Sequence, residues 1–441
     1  MERARATSGE DGKPPFPPDF VFDPVDYGGD PTGVRDSTAA IMAALDAAAR
    51  VKVPGSFMGR SDNHGGATVD MRGGAFRVRH GLWMNKHGGG LRLCCGALRA
   101  SHDFPSSAYI LNLAASEDTT IEDVQLDCAQ RGGGLHVSGA IRVHVSRVYV
   151  HGFTSFGVKA SGGHELHLTD SFLGQYWWQE DTRTDAGPGM PTGVAVHIDG
   201  QDHYVHSVVI FSAAVGILTD GGAALISDTH IYNGGGAAVL VRSQEVRIVS
   251  CYFDFNRVVL VDPIAIEVTH CFFLGAVGVE IRSSGLPNAF ISGLQIEHNQ
   301  FAVGDADPAS KRAVYVNETA GRFARVEQLT VANNVFPPAA YGTWKGQAMR
   351  PAASEVSRTA LVSQPGTVTV PFDVSDALIF DCRRFGLVSA RHSVLLPAYP
   401  SSGAFPPRTA LRQGVTPCTV VVESDGALVM GSHVSVSVRQ F

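Results

Sequence analysis

The sequence predicts an all-β fold: a right-handed parallel β-helix with a capping helix at its start and a β-rich cap at its end. Two observations predict it. One is a β-branched phrase that recurs along the chain. It reads Val145-Ser-Arg-Val-Tyr-Val150, Leu168-Thr-Asp-Ser-Phe-Leu173, Val205-His-Ser-Val-Val-Ile210 and Ile226-Ser-Asp-Thr-His-Ile231. It returns as Ile248-Val-Ser-Cys-Tyr-Phe253, Val268-Thr-His-Cys-Phe-Phe273 and Ile291-Ser-Gly-Leu-Gln-Ile296, with outlying copies from Ile121 and Val326. Successive starts lie 24, 23, 37, 21, 22, 20, 23 and 35 residues apart. A repeat of this length without helical periodicity marks a solenoid, because one copy cannot bury its apolar face alone and stacked copies share a core.

The other observation is a second alternating strand in each repeat, running from Gly134-Leu-His-Val-Ser138 to Gly278-Val-Glu-Ile-Arg282. With a period of two, its second and fourth residues point inward. They are Leu135, Val158, Val196, Ile217, Val239, Val259 and Val279, then Val137, Ala160, Ile198, Thr219, Val241, Val261 and Ile281. Both sets are apolar but for one threonine, as a continuous core requires.

The elements follow in order. Residues 1–20 are polar and proline-rich and read as a flexible leader. Asp36 or Ser37 then supplies an N-cap for a helix whose Thr38, Ile41, Leu45 and Ala48 fall on one face. An amphipathic helix placed before a solenoid plugs the open end of its core. The β-helix is assigned to 21–336. Its two long spacings, within 174–191 and 299–325, map to loops beside the coil. From 337 to 441, proline, alanine and serine loops separate alternating stretches such as Thr367-Val-Thr-Val370 and Val434-Ser-Val-Ser-Val438, read as a C-terminal β-rich cap or small domain.

Composition narrows the function. Of 441 residues 49 are glycine, which suits a chain that turns every few residues, and the net charge is -7. A weakly acidic chain makes no electrostatic claim on nucleic acid or an anionic membrane. No apolar run approaches the ~20 residues that span a bilayer, and the first residues lack the apolar stretch of a secretory signal. A monomer is expected. The seven cysteines show no metal-type spacing, and no metal site is assigned. Cys251 and Cys271 share one repeat column, either as buried thiols or as a disulfide between turns.

The outward residues of the second strand give the candidate site. One column runs His136, Lys159, His197, Leu218, Leu240, Leu260, Glu280; the other runs Ser138, Ser161, Asp199, Asp220, Arg242, Asp262, Arg282. Neighbours in a column are roughly 5 Å apart. Asp199 and Asp220 are therefore adjacent, and two carboxylates that close repel. That predicts a raised pKa for one of them, as a general acid needs. Asp262 and Asp254 are further carboxylate candidates, although a turn-capping role explains Asp254 equally well. Lys159, His197, Arg242 and Arg282 suit carboxylate-bearing sugars, where arginine offers two parallel hydrogen bonds. Trp177 and Trp178 with Asp181, in the first long loop, are candidates for stacking on and orienting sugar rings. The bland alternatives are a self-neutralising ladder of surface charges and tryptophans that pin a loop.

The stretch Asp26-Tyr-Gly-Gly-Asp-Pro-Thr-Gly-Val-Arg-Asp-Ser-Thr38 and the helix after it resemble the N-terminal signature of the pectate lyase superfamily. Gly96-Ala-Leu-Arg-Ala-Ser101, Arg131-Gly-Gly-Gly134, Gly162-Gly-His-Glu165, Ser171-Phe-Leu-Gly-Gln175 and Val261-Asp-Pro263 resemble the plant quartet-type polygalacturonases, a branch of the family 28-like glycoside hydrolases. The resemblance implies a pectin lyase-like solenoid, hydrolysis of α-1,4-galacturonan in pectin, and an extracellular or cell-wall location. The sequon Asn317-Glu-Thr319 adds weak support for export. The family's Asn-Thr-Asp, Asp-Asp, Gly-His-Gly and Arg-Ile-Lys motifs are absent from this chain, so no catalytic residue carries over. Three readings follow: a hydrolase with Asp199 and Asp220 as acid and base and no cofactor, a Ca²⁺-dependent lyase, or a silent carbohydrate-binding β-helix.

Overall fold

A computed structural model describes residues 20–58, 61–86, 88–175, 192–232, 236–274, 278–302, 313–335, 355–375, 378, 389–395, 408–414, 416 and 418–440. The chain is a parallel β-solenoid, and it divides into two compact units, Met1–Ser243 and Gln244–Phe441. In each unit a solenoid turn is made of three strands, which pair in parallel with the corresponding strands of the next turn.

In the first unit the first strands include Gly133–Ser138, Phe156–Thr169, Val194–Gln201, Val215–Thr219 and Ala237–Val241. Their register is the one the alternation predicts: Leu135, Val158, Val196, Ile217 and Val239 pair in series, as do Val137, Ala160, Ile198, Thr219 and Val241. All ten are buried. The second strands stack Ile121, Val145, Leu168, Val205 and Ile226.

The chain passes from second to third strand through one left-handed residue, at Arg147, Asp170, Ser207 and Asp228 in this unit and at Ser250, His270, His298 and Asn333 in the other. A single left-handed residue turns the chain sharply enough for the next one to lie inside the wall. That inner position holds Val148, Ser171, Val208 and Thr229 in the first unit. In the second it holds Cys251, Cys271, Asn299 and Asn334. Its asparagines reach back to the backbone of the preceding turn: Asn299 Oδ1 accepts from the Cys271 N–H at 2.9 Å, and Asn299 Nδ2 donates to the Val268 carbonyl at 2.9 Å. Asn334 Oδ1 accepts from the Asn299 N–H at 2.9 Å. Cys251 and Cys271 are buried thiols that donate to the Val249 and Thr269 carbonyls and form no disulfide, so the disulfide alternative does not hold.

Thr38–Ala49 is the only α-helix among the described residues. Ala40, Ile41, Ala44, Leu45 and Ala48 are buried against the strands Thr68–Asp70 and Leu82–Lys86. The predicted face is right except that Thr38 is half-buried, with its hydroxyl donating to Asp36 and accepting from the Arg79 N–H. Within the opening signature, Asp30 collects the Thr32 hydroxyl and the N–H groups of Arg35 and Thr32, which together hold its carboxyl at about 2.

The second unit departs from the expected register in two places. Ile296 and Val331, not Ile291 and Val326, continue the column of Val268. The long strand Phe290–Glu297 kinks at left-handed Gly293, and its first half carries a similar pattern. Secondly, Val258 pairs with Val279 and Leu260 with Ile281. Leu260 is thus core at 0% exposure, and Val259 and Val261 take the outward places opposite Glu280 and Arg282. A run of four apolar residues hides which of them face inward.

The same unit holds the C-terminal strands. Glu355–Leu361, His433–Arg439 and Ser389–Leu395 form one antiparallel sheet; Thr369–Asp373, Thr419–Ser424 and Thr409–Gln413 form another. Val370, Phe372, Val420, Val422, Val434, Val436 and Val438 make a core of their own.

Candidate active site

The outward side of the first strands in the unit Met1–Ser243 carries the candidate site. Ser161 pairs with Asp199, and the Asp220 N–H, just after the strand Val215–Thr219, donates to the Ile198 carbonyl at 2.8 Å, so Asp199 and Asp220 belong to adjacent turns. Asp199 is exposed. Asp220 is gripped: Arg242 donates from Nε to Oδ1 and from Nη2 to Oδ2, both at 2.7 Å, and His197 Nε2 meets Oδ2 at 2.9 Å.

This geometry corrects the expected electrostatics. Partial burial works to raise the Asp220 carboxyl, but the bonds from Arg242 and His197 outweigh it and hold the group below the ordinary carboxylate range. Asp220 is therefore an ionised acceptor and not the raised acid that repulsion alone predicts. The parallel strands put an arginine one turn from it, and that short pair dominates.

His197 is 8% exposed, stacks on Phe156 at 5.1 Å, and its Nδ1 has no hydrogen-bond partner among the described residues. Lys159 Nζ stands 5.1 Å from the Phe156 ring centre, so the same face offers a half-buried cation beside an aromatic ring. Leu218 is buried and Leu240 half-buried.

The remaining sequence candidates separate from this group. Asp262 leaves the outward column with the register change. It takes a left-handed conformation after its strand, and its Oδ1 accepts from the Ser284 N–H at 3.0 Å, a turn-capping role. Asp254 ends the third strand Tyr252–Asp254 and pairs with Leu274, so it does not belong to the first-strand face. Arg282 is spent on Glu280, which is 1% exposed and also accepts from Arg257 and from Asn317 Nδ2. Burial opposes the Glu280 charge, and Arg282, Asn317 and Arg257 overcome it, leaving its pKa lowered. The Asn317 amide of the sequon is thus already engaged with a buried carboxylate. Trp177, Trp178 and Asp181 lie outside the described residues.

Sequence reasoning passed over one further group. Asp70, Cys94 and Cys95 each place a ligand atom within 4.8 Å of the others. Strand pairing between turns brings them together, which residue spacing does not show.

The chain is 33% identical over 311 residues to Polygalacturonase QRT3 of Arabidopsis thaliana, covering 66% of this chain. It is related in sequence to a plant polygalacturonase. The match spans 63% of that relative's length, less than two thirds of it. Among solved structures, endo-xylogalacturonan hydrolase from Aspergillus tubingensis superposes with a TM-score of 0.53 at 9% identity, over 71% of this chain and 92% of the other. ORF18 of Geobacillus virus E2 gives 0.50 at 11% identity, over 92% and 76%. At such identities these two show the fold alone. No protein-family model matches the chain.

Proposed function

We propose that this chain is a pectin-acting glycoside hydrolase of the polygalacturonase kind, taking α-1,4-galacturonan across the face that carries Lys159, His197, Asp199, Asp220 and Arg242. The observation that carries the reading is exposed Asp199 one solenoid turn from ionised Asp220, whose carboxylate is held by Arg242 and His197. The relationship to a polygalacturonase supplies the substrate class. In this reading a uronate carboxylate competes with Asp220 for the Arg242 guanidinium, which suits paired carboxylate oxygens. Loosening that grip frees Asp220 to take a proton from the attacking water. Asp199, covered by substrate and so desolvated, gives its proton to the glycosidic oxygen as the bond to the anomeric carbon breaks. No cofactor is required. The place of action is the extracellular cell wall, and disulfide-bonded Cys418 is in keeping with an oxidising compartment. No helix among the described residues is long and apolar enough to cross a membrane. We further propose that the chain acts as a monomer.

One observation favours a second reading, binding without turnover. A carboxylate held by an arginine and a histidine at once is a weak base until something displaces them. Incubation with polygalacturonate, with and without a chelator, tests both readings. New reducing ends without ultraviolet absorbance from unsaturated products would support hydrolysis. Chelator-sensitive absorbance would replace it with Ca²⁺-dependent elimination, and retention of oligogalacturonate without any product would establish a binder.

A further inference from the structure

Asp70, Cys94 and Cys95 lie on a different strand set of the first unit from the carbohydrate face. Thr68–Asp70 and Arg92–Ala100 are parallel neighbours, with Asp70 paired to Cys94. Leu93 before it is core and pairs with Val69 and Ile121, so alternation points Cys94 out of the solenoid wall. It is nevertheless only 1% exposed. Cys95 takes a left-handed φ of 66°, which bends the strand Arg92–Ala100 in its middle and sets its thiol in hydrogen-bonding contact with that of Cys94. Both thiols are free. One ligand atom from each of the three residues falls within 4.8 Å of the other two. A tetrahedral ion with bonds of about 2.3 Å to sulfur and about 2.0–2.2 Å to oxygen needs its donors roughly 3.5–3.8 Å apart. Small side-chain rotations close that gap.

The surroundings suit an ion as well. Glu122, paired to Cys94 on the other side, is engaged by Arg92 and Arg147 and is not available as a fourth ligand. Three protein ligands therefore leave one position for solvent. Two thiolates and a carboxylate exceed the charge of a dication, and the Arg92 guanidinium interacts with both sulfurs to offset the excess. Two sulfurs with one oxygen select a borderline-soft cation over Ca²⁺ or Mg²⁺.

We propose that Asp70, Cys94 and Cys95 form a site for a divalent cation of the Zn²⁺ class, which ties two adjacent solenoid turns together. The test uses the full chain, reduced and freed of metal, titrated with Co²⁺ alone. Near-ultraviolet thiolate-to-cobalt absorption should saturate at one ion per chain and disappear when Zn²⁺ is added. Asp70 and Cys95 are half-exposed, so Asp70→Asn and Cys95→Ser can be made without opening the core. Each should weaken binding about tenfold or more, and Cys95→Ser should lose roughly half of the sulfur-derived intensity. Absence of that absorption at saturating Co²⁺ overturns the proposal. An unchanged titration in the folded double variant overturns it too, by moving ligation to other thiols such as Cys251 and Cys271.

Discussion

Arg242 decides what Asp220 can do. While both guanidinium bonds stand, the carboxylate is a poor base but a fixed one, and His197 keeps it aimed. Replacing Arg242 with glutamine removes both charge and fork, so the Asp220 pKa should climb. If Asp220 is the base, the acidic limb of the kcat/KM–pH profile should move to higher pH in Arg242→Gln, whereas Asp220→Asn should lose about 100-fold or more in kcat. An unmoved limb would remove Asp220 from the mechanism. Glu280 shows the opposite use of the same chemistry. Its carboxylate is buried while Arg257 and Arg282 reach solvent, so the cost of breaking the group is asymmetric. Removing both arginines strands a buried charge and should cost about 3–5 kcal/mol. Glu280→Gln lets the arginines return to water and should cost roughly 1 kcal/mol. Urea denaturation of the two variants measures the difference, and equal losses would contradict the account. Alternation placed Asp199, Asp220 and Glu280 on the outside correctly. It could not show which arginine would reach which carboxylate, and that reach fixes every charge state in both clusters.

At the scale of the element, the inner turn position separates what was legible from what was not. The Ser-Cys and His-Cys steps in the repeated phrase marked a column, and the strand patterns before it fixed the core in the first unit. The repeat length alone did not locate the copies in Phe290–Glu297 and beyond, because that strand contains two apolar stretches and only backbone pairing chooses between them. The Arg257–Val261 strand failed for a related reason: Val-Val-Leu-Val satisfies either alternation. The metal-like cluster was invisible because its members meet across turns. Once placed, the column makes a prediction of its own. Asn299 serves both the Cys271 N–H and the Val268 carbonyl, so Asn299→Ala leaves two buried groups unanswered and should cost about 1–3 kcal/mol for each. Cys271→Ala removes only a weak thiol donor and a little packing and should cost less. Thermal denaturation of the pair would show a clear order, and the reverse order would mean that packing governs the column.

For the unit Met1–Ser243 as a whole, buried histidines set the pH range of stability. His203 is buried with its Nδ1 accepting from the Leu166 N–H at 3.0 Å, which fixes the neutral tautomer protonated at Nε2. Burial pushes its pKa down to about 4, against the pull of Asp202 and Asp199. His151 is likewise driven by burial to about 4, with Asp127 opposing and Arg99 assisting. Unfolded histidine titrates near 6.5. Between that value and about 4 the unfolded chain holds more protons than the folded one, so stability must fall as pH falls through this window. Each group can account for a loss on the order of 3 kcal/mol across it. The carboxylates with lowered values, Asp220 and Glu122 among them, add a separate loss that begins only as the pH drops below the ordinary carboxylate range. Two acid limbs are therefore expected, one from imidazole and one from carboxylate. Melting temperature followed from pH 7 to pH 3 should show the first limb above about pH 4. His203→Gln, whose amide can still accept the Leu166 N–H, should shrink that limb by about half without moving the second. A profile that stays level to pH 4 in the unsubstituted protein would mean that the two imidazoles take up protons in the folded state, held by carboxylates such as Asp127 and Asp202, against the burial that the solenoid wall imposes on them.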